Sequence, residues 1–153
     1  MYQRIMVPID GSDSAWKALA YAQTLGEKFQ SELLVLHVVQ PYYSTPILAT
    51  PMDTPFIPIQ PQDVERSGQQ LLSAAEDRLK GYPGKVSTKL EFGHPAERVL
   101  ALAGEWPADV IIIGSRGLSG IAEFFLGSVS STVAQYAKIP VLIVKEEEEE
   151  KKE

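Results

Sequence analysis

Val110-Ile111-Ile112-Ile113-Gly114-Ser115-Arg116-Gly117, then nine residues from Leu118 to Leu126, then Gly127-Ser128-Val129-Ser130, is the stretch on which the reading of this chain turns. An apolar run enters it and a helix-compatible stretch beginning near Ser128 leaves it, so the glycines lie between a strand and a helix. Glycine lets backbone N–H groups come close to an anion, and a helix N-terminus offers unpaired N–H groups and the positive end of its dipole. The segment therefore predicts a phosphate cradle, with Ser128, Ser130 and Ser131 adding hydroxyl donors. No Gly-x-Gly-x-x-Gly follows the first strand and no Lys precedes Ser or Thr as in a P-loop, so it is neither of those cradles.

Working outward, Arg4 to Ile9 reads as a strand, and Ser12-Asp13 supplies an N-cap and a first-turn acid. A helix follows, with Ala15, Ala18, Leu19, Ala22, Leu25 and Phe29 on its apolar face. Leu33 to Val39 is almost continuously apolar, as expected of a strand covered on both sides. Six of the eleven prolines fall between Pro41 and Pro61, which predicts a long loop. Its apolar residues, Tyr42, Tyr43, Ile47, Leu48, Met52, Phe56, Ile57 and Ile59, suggest packing on a partner subunit or on the pocket. Val64, Gly68, Leu71, Leu72, Ala75 and Leu79 share one face of a second helix, which Gly81-Tyr82-Pro83-Gly84 stops.

Val86, Thr88, Leu90 and Phe92 alternate with polar residues, as in a strand with one face partly wet. Pro95 fits a first helical position, with Glu97 in the first turn, Ala96, Val99, Leu100 and Ala103 buried, and Gly104 as the stop. Val110 to Ile113, Ser128 to Ala137 and Val141 to Val144 supply the last strand, helix and strand. Five strands alternating with four helices predict an α/β fold, an open five-stranded parallel sheet with helices on both faces and right-handed crossovers. The expected order is 3-2-1-4-5, with its switch point between strands one and four. Ligands of such sheets bind beyond the strand ends at that point, here at Asp10 and Gly114.

At 153 residues the chain is one domain by length. It has no cysteine, which excludes disulfides, zinc-thiolate sites and thiol nucleophiles and fits a reducing compartment. The formal charge is −6, but Glu146 to Glu153 holds six Glu and two Lys, a net −4, leaving −2 for the rest. That run reads as a solvated acidic tail, 146–153, outside a domain spanning 1–145. With no basic stripe, nucleic-acid binding is not expected. No signal-like or membrane-length apolar run is present, which predicts a soluble, cytoplasmic protein.

The glycine pattern resembles the ATP-binding signature of the universal stress protein family. Ile5-Met6-Val7-Pro8-Ile9-Asp10-Gly11-Ser12, Leu36-His37-Val38-Val39, Gly93-His94-Pro95-Ala96-Glu97 and Ile139-Pro140-Val141-Leu142-Ile143-Val144 resemble that family in order. The resemblance implies an adenine nucleotide alpha-hydrolase-like fold and binding of ATP, with AMP or ADP as alternatives. It places Asp10, flanked by Pro8 and Ile9, at the ribose or adenine side, and Val38 and Val39 along the adenine. Gly114, Ser115, Arg116, Gly117, Gly127, Ser128, Val129 and Ser130 are placed around the phosphates, and Mg2+ or Mn2+ would be held mainly by the phosphates. It also implies a homodimer through Val141 to Val144, an apolar edge strand that pairing with a second copy would cover.

The residues themselves leave alternatives. Asp10 can cap a turn instead of meeting a ligand, Ser12 reads better as a cap, and Arg116 is either a phosphate partner or an exposed cation. His37 and His94 read as structural. The function expected is a nucleotide-dependent regulatory switch with protein partners. Between Gly114 and Ser130 only Arg116 and Glu123 are ionisable, so a slow ATPase or phosphotransfer enzyme lacks an evident base. A dimeric interaction module with a vestigial pocket is the third reading.

Overall fold

A computed structural model describes residues 1–41, 60–116 and 126–146. Most of the Pro41–Pro61 loop, Gly117, Gly120, Glu123 and the acidic run beyond Glu146 lie outside these residues. Nine elements alternate along the described residues. They are β1 (Arg4–Pro8), α1 (Asp13–Phe29), β2 (Glu32–Val39), α2 (Pro61–Arg78), β3 (Val86–Phe92), α3 (Pro95–Glu105), β4 (Val110–Gly114), α4 (Ser128–Tyr136) and β5 (Val141–Val144). The strands form one parallel sheet in the order β3-β2-β1-β4-β5.

The period of two along each strand divides its side chains between two cores. Ile5, Val7, Leu33, Val35, Val110 and Ile112 face α1 and α2, packing on Ala15, Ala18, Leu19, Ala22, Leu72 and Ala75. Met6, Leu34, Leu36, Ile111 and Ile113 face α3 and α4, packing on Ala96, Val99, Leu102 and Val133. Every residue of β4 is buried, so the central strands read as unbroken apolar runs. At the outer strand β3, Glu91 bonds Lys89 at 2.9 Å and Arg98 of α3 at 3.0 Å. The Lys89 hydrogen bond, with help from Arg98, holds the Glu91 carboxyl below its ordinary pKa against the opposing effect of burial.

Three local expectations are corrected. Gly104 does not stop α3, which continues to Glu105. A side chain at Gly104 would meet open space, and the break comes at Trp106, where Pro107 disfavours helical backbone in the residue before it. Phe29 is 41% exposed and stacks edge-on against Tyr2 instead of joining the core. Phe92 is 54% exposed, because β3 is an edge strand and Phe92 is its last residue.

Gly26 lies inside α1, where glycine normally costs about 1 kcal/mol relative to alanine. Here a methyl group would stand 2.3 Å from the Tyr82 hydroxyl, which donates a 2.6 Å hydrogen bond to the Ser31 carbonyl. Crowding therefore outweighs propensity. Gly26→Ala should lower the unfolding free energy by about 1–3 kcal/mol in urea denaturation, whereas propensity alone predicts a gain.

Candidate functional site

The strands β1 and β4 are neighbours, yet their following helices leave on opposite faces, and the backbone beyond their ends must be fastened from both sides. After Pro8, Ile9 donates its N–H to the Leu36 carbonyl at 2.8 Å. Its own carbonyl takes the Nδ1–H of His37 at 2.8 Å, which ties that histidine to the end of the first strand. Asp10 Oδ1 accepts from the Ser12 N–H at 2.9 Å and the Ser12 hydroxyl at 2.5 Å, with Gly11 at φ +86° making the turn between them. Ser12 caps α1 by accepting from the Ala15 N–H at 3.3 Å. The cap reading of Ser12 thus holds, and Asp10 braces that turn with one carboxylate oxygen.

At the other strand end, a side chain on Gly114 would lie 2.5 Å from Ser14 Oγ and 2.6 Å from the Ser14 carbonyl carbon. The close approach of α1 requires the glycine. Ser14, wholly buried, donates its hydroxyl to the Arg116 carbonyl at 2.8 Å and accepts the Arg116 N–H at 3.3 Å. From the opposite face, the Ser130 hydroxyl lies 3.0 Å from the carbonyls of both Ser115 and Gly127, and Gly127 N–H donates to Ser115 at 2.7 Å. Ser115 N–H donates to Val144 of β5. The hydroxyl hydrogen of Ser130 is therefore committed within the protein, contrary to the expectation that it is free to donate to phosphate. Its backbone N–H is not so committed, since the first N–H groups of a helix have no partner inside it.

These ends surround a cavity of about 800 Å3. Pro8, Ile9, Asp10, Val38, Val39, Gly114, Arg116, Gly127, Ser128, Val129 and Ser130 all line it. Of the other sequence candidates, Ser115 is buried and does not line the cavity, and Gly117 is outside the described residues. The volume falls in the range of small-molecule sites. One end of it receives the N-terminus of α4, which has no side-chain cap and no acid in its first turn. Asp10, His37 and Arg116 are the ionisable side chains of the wall among the described residues. No group of three or more His, Cys, Asp or Glu among the described residues could hold a metal ion. No helix of the described residues is long and apolar enough to cross a membrane.

Sequence reasoning missed the wall that α2 contributes: Val64, Ser67, Gly68 and Leu71. The apolar stripe of α2 was legible, but not that its N-terminal half lies over the strand ends. Gly68 carried a signal, for a side chain there would approach Leu90, His37 and Val39 at 2.8–3.3 Å. Ser14 was missed as well, because a serine inside a helix gives no sign of a partner 102 residues away.

The sequence model of the universal stress protein family matches residues 1–145. The chain belongs to the universal stress protein family. It is 37% identical over 150 residues to Universal stress protein YxiE of Bacillus subtilis (strain 168), covering 95% of this chain and 100% of that protein. The solved structure of the hypothetical protein MJ0577 superposes with a TM-score of 0.73 at 25% identity, covering 96% of this chain and 98% of that one. A universal stress protein in complex with cAMP gives a TM-score of 0.70 at 28% identity, covering 94% and 97%. This family membership agrees with the fold above, including the sheet order.

Ser14→Ala should leave the part-buried N–H of Arg116 without its partner and its carbonyl with the Ser12 hydroxyl at 3.1 Å. The expected loss is about 1–3 kcal/mol of unfolding free energy, read from the urea midpoint, with the Arg116 amide exchanging faster in hydrogen-exchange measurements.

Proposed function

We propose that the cavity binds an adenine nucleotide, ATP in the first instance, and that the protein acts as a homodimeric nucleotide-dependent regulator. The observation that carries this reading is the uncapped α4 N-terminus opening into the cavity. The N–H groups of Ser128, Val129 and Ser130 are the natural donors to phosphate there, and the helix dipole favours the anion. Arg116 adds the one cationic side chain of the described wall. The opposite end, at Val38 and Val39, is apolar and suits a base, and Asp10 keeps its second carboxylate oxygen for ribose hydroxyls. A Mg2+ or Mn2+ ion would ride on the phosphates, since the described side chains offer no cluster to hold it. The relative in complex with cAMP supports an adenine compound as the ligand class.

Binding suits this wall better than hydrolysis. Near the α4 end the described wall holds no carboxylate to activate water, while Asp10 Oδ1 and His37 Nδ1 are both engaged in the protein. Ligand-dependent function then follows from ATP favouring one arrangement of the protein over another. Among the described residues β5 pairs only with β4, and Leu142 on it is 41% exposed. A second copy paired through Val141 to Val144 would cover that edge.

Calorimetric titration of nucleotide-stripped protein with ATP, with and without magnesium, should give one saturable site per chain, and the ATP should remain intact for hours. ADP appearing in proportion to protein would favour a slow ATPase, and absence of binding would leave an interaction module. Gly127→Val should lose ATP binding while keeping its far-UV spectrum, because φ −59° tolerates a side chain but the cavity end does not. Leu142→Lys should sediment as a monomer where the wild type sediments as a dimer.

A further inference from the structure

We propose that Glu146 is a built-in electrostatic brake on anion binding at the α4 cradle, an inference that rests on the nucleotide reading above. The first-turn N–H groups of α1, like those of α4, have no helical acceptor. In α1 the Ser12 side chain takes the Ala15 N–H, and the Ser14 N–H goes to a carboxylate from the far end of the chain, Glu146 Oε1 at 3.2 Å. The protein thus places its own anion on the N-terminus of α1 and leaves that of α4 open to the cavity.

From that seat Glu146 is two hydrogen bonds from the cavity wall. Ser14, whose N–H it holds, clamps both the N–H and the carbonyl of Arg116 through its hydroxyl. Arg116 lines the cavity. A negative charge held at this position offsets part of the attraction that the Arg116 guanidinium and the α4 dipole exert on phosphate oxygens. The effect reaches about 8–10 Å at ordinary ionic strength before salt screens it. Following Glu146 in the sequence are five more Glu and two Lys, a net −3. A triphosphate bears charge of the same sign, whereas an uncharged nucleoside does not feel the brake.

Glu146→Gln tests this cleanly, because the amide oxygen can still accept from Ser14 while the charge is gone. Dissociation constants for ATP and for adenosine are measured with wild type, Glu146→Gln and a chain ending at Lys145, at low and at high salt. The variant should bind ATP about two- to fivefold tighter at low salt, with the gain vanishing at high salt. The shortened chain should gain at least as much, and adenosine affinity should not change. Equal or weaker ATP binding by Glu146→Gln, or a gain that adenosine shares, overturns the brake alone. ATP binding to none of the three forms overturns the nucleotide reading and the brake with it.

Discussion

Two serine hydroxyls, approaching from opposite faces of the sheet, fix the backbone on which the cavity depends. Ser14 of α1 holds both polar groups of the Arg116 peptide, and Ser130 of α4 reaches the Ser115 carbonyl. Between them the chain leaves β4 in a defined direction, with Gly114 bare so that α1 can come close. A parallel sheet whose strand order reverses at its middle opens a crevice there in any case. These bonds give that crevice one shape.

The N-termini of α1 and α4 differ in how their unpaired N–H groups are satisfied. In α1 they are met from within, by Ser12 and by Glu146, with Asp13 in the first turn. In α4 a glycine stands at the cap position, no first-turn acid follows, and the Ser130 hydroxyl turns back toward Ser115 and Gly127. The two N-termini thus meet unequal surroundings, and that of α4 opens to the cavity. Asp10 and His37 brace the other end, each through a bond that also sets the path of the chain after β1.

Much of the fold was legible because its signals are local. Pro95 and Ser12 marked helix starts, unbroken apolar runs marked strands covered on both faces, and alternation of strand and helix marked a parallel sheet. The misread positions have local causes that compete: Pro107, not Gly104, ends α3, and the edge position of β3 overrides the hydrophobicity of Phe92. At the site, residues at strand ends and in the glycine pattern were legible, since topology and spacing both mark them. The contribution of α2 was not, because a helix stripe looks the same whether it lies over sheet or over a cavity mouth.

By itself the sequence determined the class of fold and the strand order and marked most of the residues that line one side of the cavity, since periodicity, caps and glycine spacing act over a few residues at a time. Only the tertiary structure decided which donors around the cavity are free. Ser14 meets Arg116 across 102 positions and Glu146 across 132, and such partnerships exist only once the sheet has brought the ends of β1, β4 and β5 together. A serine or a glutamate carries no mark of its distant partner, because hydrogen bonding is decided by proximity, and proximity between remote segments is a property of the packed sheet.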